Sequence, residues 1–71
     1  MREYAAIAQV VYRTGMWKGS FGLRSITFVA ASKTAAIRHA RRVYAAEWLK
    51  EKKQASQPMK LLKLHVHVEA L

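Results

Sequence analysis

Residues 62–71, LKLHVHVEAL, alternate apolar and polar side chains almost to the last residue. An extended chain points successive side chains to opposite faces. Leu62, Leu64, Val66 and Val68 therefore share one face, and Lys63, His65, His67 and Glu69 share the other. The pattern predicts a strand over 59–69 with one face on a core and one in water.

His65, His67 and Glu69 also invite a metal reading. Alternate strand residues stand about 6.6–7 Å apart, near enough for two imidazoles to share a zinc ion at about 2.0–2.1 Å. A third protein ligand would have to come from a neighbouring strand, and the tyrosines and alanines near the N-terminus are poor donors. His39 and Glu47 fall on a predicted helix. Period two alone accounts for the polar set, so the expectation is a solvated face with no metal and no cofactor. Histidine ordinarily titrates near pH 6.5, so a contact made through this face should weaken in acid.

The rest of the chain must supply partners for that strand. Residues 3–13, EYAAIAQVVYR, are apolar on both alternate sets: Ala5, Ile7 and Val11 on one, Tyr4, Ala6, Ala8, Val10 and Tyr12 on the other. Such a strand belongs in the middle of a sheet. All three glycines fall in 14–22, which reads as a long hairpin loop, and 23–31 alternates as a second strand. Ser32 or Thr34 caps a helix over 33–53 whose apolar stripe is Ile37, Ala40, Val43, Tyr44 and Trp48. Residues 54–58 form a linker ending at Pro58, which disfavours helix at the residue before it. The expected fold is a single α+β domain of order ββαβ. A right-handed crossover gives a three-stranded sheet of order 2-1-3 with the helix on one face. The open face is expected to hold Tyr4, Tyr12, His65 and His67, either in water or against a second copy.

A chain of 71 residues buries only about 60% of its unfolded surface. With no cysteine, neither a disulfide nor a thiolate metal site can reinforce it. Thirteen Lys+Arg face four Glu, giving a net charge of +9. That excess favours polyanionic partners, namely nucleic acid or the acidic surface of a nucleoprotein complex. The helix concentrates it: Arg38, Arg41 and Arg42 adjoin, and Lys50, Lys52 and Lys53 close the last turns. Arginine forks grip phosphates, and the helix lacks the Asn or Gln readers of base edges, so backbone contacts should dominate. Trp17 and Phe21 flank Lys18, a mixture that stacks on bases or anchors a protein partner. The glycine spacing matches no phosphate loop. No paired carboxylates and no nucleophile with a base and an orienting group can be assembled, which argues against an enzyme. No run approaches about 18 apolar residues and no cleavage signal follows the N-terminus, so no membrane partner is expected and the cytoplasm is the expected location.

The passage ITFVAASKTAAIRHARR, with Ile26, Ala30, Ser32 and Ala36 leading from a strand into a helix, resembles small ββαβ proteins of phages and mobile elements, among them some anti-CRISPR proteins. The resemblance covers residues 3–48. It implies a stoichiometric inhibitor docking on a nucleic-acid-handling complex in the cytoplasm of a host cell. The matching positions are core and cap residues, so no site residue is carried across. The reading from composition stands beside it: a small basic binding protein, or alternatively a protein–protein module or homodimer using the open sheet face and the Trp17/Phe21 loop.

Overall fold

The computed structural model describes residues 1–71 and contains β1 (Arg2–Thr14), β2 (Trp17–Ala30), α1 (Lys33–Gln54) and β3 (Lys60–Ala70). The three strands form one open antiparallel sheet of order β2-β1-β3, with α1 across one face. Thirteen residues of β1 at about 3.4 Å each account for the long dimension of the molecule, 44 Å.

The long loop expected over 14–22 is instead a two-residue turn at Gly15 and Met16, and β2 starts at Trp17, paired with Thr14. Gly15 has φ +60° and Met16 does not have a positive φ, the pattern of a Gly-first hairpin turn whose twist matches its strands. The other glycines lie inside β2. Gly19 faces Tyr12, whose ring lies so close that a Cβ on Gly19 would stand 2.6 Å from the hydroxyl oxygen. The aromatic ring covers the bare backbone, and the strand continues through it.

The core is apolar throughout. Tyr4, Ala6, Ala8 and Val10 of β1, Ala30 of β2, Val68 of β3 and Ala36, Ala40, Tyr44 and Trp48 of α1 are buried, with no charged or polar residue among them. The doubly apolar β1 is central as expected, but its two faces have different fates. Tyr4, Ala6, Ala8, Val10 and Tyr12 lie under the helix; Ala5, Ile7, Gln9, Val11 and Arg13 line the open face. Tyr4 and Tyr12 therefore do not share a face with His65 and His67. The helix covers the set without a charged or amide side chain, and Gln9 and Arg13 stay on the side open to water.

On α1 the buried row is Ala36, Ala40, Tyr44 and Trp48, every fourth residue, and Ile37 is 37% exposed. Two alanines at the start of this row let the helix backbone approach the sheet, and a residue the size of Ile37 in their place would hold it off. Ser32 is the N-cap: its Oγ accepts from the Ala35 N–H at 3.2 Å.

Two register shifts complete the sheet. Between Ala6 and Ala8 the pairing on β2 moves from Ile26 to Leu23, so Arg24 and Ser25 together oppose Ile7. Between Val11 and Tyr12 the pairing on β3 moves from Lys63 to Leu61, which makes Leu62 the extra residue. Leu62 is consequently exposed, and the core-facing set of β3 is Leu61, Leu64, Val66 and Val68.

Candidate nucleic-acid interface

Residues of α1 two positions beyond the buried row are turned about 200° from it, straight into solvent. Arg38, Arg42, Ala46 and Lys50 occupy that outer ridge and are exposed. Arg41 and Lys53 follow on the adjoining flank with Ile37, Ala45 and Leu49, while Lys52 projects beyond the buried row at the helix end. The other flank, His39, Val43 and Glu47, leans over β2: the His39 ring lies 4.7 Å from that of Phe28, and Glu47 accepts from Arg24 at 3.0 Å. The helix thus carries Arg38, Arg42 and Lys50 as one outward line, with Arg41 and Lys53 beside it.

A second basic cluster on the open sheet face was not legible in the sequence. Arg13 pairs with Lys18 on one side and with Lys60 on the other, and Lys63 sits opposite the neighbouring Val11. Three cations thus stand abreast across three strands spaced about 4.8 Å apart. All four are exposed. Directly opposed like charges destabilise a sheet. The carboxylates are elsewhere: Glu47 is held by Arg24, Glu69 by His67 at 3.0 Å, Glu3 is at the far end of β1 and Glu51 is on the helix. Arg13 and Lys18 meet across the short hairpin turn, but Lys60 is remote from both in sequence, so only the register of all three strands reveals the row.

The aromatic residues of the former loop divide. Phe21 is half-buried between Tyr12 and Trp48, at ring separations of 5.5 and 6.3 Å, so it belongs to the core edge. With Tyr4 and Tyr12 it leaves the set of partner-binding candidates, since all three pack under the helix. Trp17 is 78% exposed at the hairpin end, beside Met16 and Lys18. It remains free to stack on a base or a partner side chain.

His65, His67 and Glu69 project from β3 on the open face, opposite Gln9, Ile7 and Ala5. None of these neighbours is a metal ligand, and nowhere do three His, Cys, Asp or Glu side chains come together in a metal-holding group. The hydrogen bond from His67, helped by its charge, holds the Glu69 carboxyl below the usual carboxylate range. The largest groove, about 450 Å³, runs between β2 and α1 and is lined by Arg24, Ile26, Phe28, His39 and Val43 among others. No helix is long and apolar enough to cross a membrane.

Comparison of the chain with protein-family models, with curated proteins and with solved structures finds no match.

Proposed function

We propose that this chain is a small non-enzymatic binding protein that engages nucleic acid, or a nucleic-acid-handling complex, through the phosphate backbone. The observation that carries the reading is the row Lys18–Arg13–Lys60, with Lys63 adjoining. Aligned cations without a carboxylate cost stability in the free protein and gain it back against an anionic partner. Trp17, exposed at the hairpin end, points to the other face of the sheet from Lys18 and adds a stacking surface at the rim of the molecule, outside the row itself. The outer ridge of α1, with Arg38, Arg42 and Lys50 flanked by Arg41 and Lys53, offers a second surface of the same sign on the opposite side of the molecule. Two such surfaces suit a protein that lies between two backbone segments. An inhibitor lodged in a nucleoprotein complex, the role implied by the resemblance to phage anti-CRISPR proteins, is its most concrete form.

The test is binding of random-sequence single-stranded and duplex oligonucleotides across a salt series. Neutralising about four phosphates gives a slope of log K against log salt of about −3 to −4. Replacing Arg13, Lys18 and Lys60 together by Gln should flatten that slope by about two to three. The triple change of Arg38, Arg41 and Arg42 to Ala measures the share of the helix. Absence of binding at low salt overturns direct nucleic-acid binding.

A further inference from the structure

The sheet has two outer edges, and they are not equivalent. β2 is interrupted at Arg24–Ser25, the kind of bulge that discourages edge pairing. β3 has its only irregularity at Leu62 and runs evenly from Lys63 to Ala70, with no proline. Its outer backbone edge has no partner in the sheet.

We infer that the outer edge of β3 pairs antiparallel with the same edge of a second copy of this chain, about a two-fold axis at Val66, to give a continuous six-stranded sheet. The sequence of the strand selects that register. With Val66 opposite its own copy, Lys63 faces Glu69 of the second chain and Glu69 faces its Lys63, so two opposite-charge pairs form on the open face. On the helix face Leu64 meets Val68. The pairing uses the whole regular part of the strand and ends at the Leu62 bulge. Moving the axis to His65 would set Lys63 against His67 and Glu69 against Leu61, and moving it to His67 would leave Lys63 opposite the chain end. A shift by half a step would put the apolar set of one chain on the polar face of the other.

A second observation points to the same edge. Because His39 and Glu47 lean over β2, the opposite flank of α1 leans toward β3, and it carries Ile37, Ala45 and Leu49, with Leu49 56% exposed. Leu64 and Val66 beneath it are only half-buried. Across the paired strands, two β1 strands would lie about 14 Å apart, which brings two helices about 10 Å wide alongside one another over this apolar strip. Arg41 shares the flank, and its long stem lets the guanidinium stay in water. The Lys18–Arg13–Lys60 row lies outside the paired segment and stays open in both copies, so this inference does not rest on the polyanion reading.

Sedimentation over a protein concentration series, with Lys63→Glu, Glu69→Lys and the double exchange, tests the pairing. Each single change turns two attractions into two repulsions and should weaken the dimer about tenfold or more, and the double exchange should restore it. All four positions in the pairs are exposed, so circular dichroism should show the variants folded. The chain has no cysteine, so Val66→Cys introduces the sole thiol; opposed residues about 4.5–5.5 Å apart are within disulfide reach. Oxidation should link V66C into dimers and leave L64C, which would face position 68, unlinked. A monomer at all concentrations, single changes without effect, or equal linking of both cysteine variants would each overturn the inference.

Discussion

Tyr44 donates its hydroxyl proton to the Ala6 carbonyl at 2.8 Å from the middle of the helix, and the Arg24 carbonyl lies 3.0 Å from the same oxygen. The side chain is fully buried, so the hydroxyl ties α1 to β1 and to the bulged segment of β2 where no water reaches. Tyr44→Phe keeps the ring and leaves the buried Ala6 carbonyl without this donor, at a cost of about 1–3 kcal/mol. For a domain of this size each kcal/mol lowers Tm by about 4–8 °C, a loss that a thermal melt reads directly.

The same hydroxyl makes the fold sensitive to alkali. Burial pushes its pKa up from 10.0, the nearby Arg24 guanidinium opposing and Glu47 reinforcing the shift. The folded value is raised, so the contribution is fully present below the ordinary tyrosine value. It is lost as pH rises past that value toward the folded one, because the unfolded chain releases the proton first. Urea midpoints measured between pH 9 and about 11 should fall more steeply in the wild type than in Y44F.

Gly19 and Gly22 are both glycines within β2, yet they should respond differently to a methyl group. At Gly19 a Cβ meets the Tyr12 ring at 2.6–3.0 Å, whereas at Gly22 the nearest atom, the Ala8 carbonyl oxygen, is 3.9 Å away. Gly19→Ala should force Tyr12 off its contact with Phe21 and destabilise by about 1–3 kcal/mol. Gly22→Ala should be neutral or slightly stabilising. Denaturation midpoints of the pair separate the two.

The two tryptophans report opposite environments. Trp48 is buried against Phe21 and Trp17 is in water. W17F should keep a blue-shifted emission that moves red on unfolding, and W48F should emit red from the start and be quenched freely by acrylamide. Trp48→Ala removes a large buried ring, and about 3–5 kcal/mol of lost stability would leave so small a domain largely unfolded.

His67→Ala should raise the Glu69 carboxyl midpoint toward the ordinary glutamate value, since the hydrogen bond from His67 is the main cause of its depression. An NMR titration of the side-chain carboxyl follows this group alone. An unchanged midpoint would show that the two side chains do not meet in solution.

The strand order was legible because it depends on composition: only β1 is apolar on both faces, and a strand of that kind needs neighbours on each side. The Ser32 cap was legible for the same local reason. What escaped was set by cross-strand pairing, some of it within the first hairpin and some between distant segments. The glycines at 19 and 22 read as loop until Tyr12 is seen lying across Gly19. The Gly15-Met16 dipeptide did carry a signal, a glycine first in a two-residue turn, which the density of glycines around it concealed. Tyr4 and Tyr12 lie on the face opposite to the expected one because alternation tells which residues share a side without telling which side the helix takes. The cation row is local only in its Arg13–Lys18 half, which depends on the turn being read as two residues; Lys60 joins it only through the register of β3.

The extra residue at Arg24–Ser25 works as a change of phase. Phe21 and Leu23 are odd-numbered, Ile26, Phe28 and Ala30 even-numbered, yet all five pack toward the helix, because the step from Leu23 to Ile26 crosses three residues against two on β1. Deleting Ser25 would put the two halves of β2 in step with each other and out of step with the core. Either Phe21 and Leu23 or Ile26 and Phe28 would then turn outward. The hairpin therefore tolerates substitution along β2 far better than the gain or loss of a single residue.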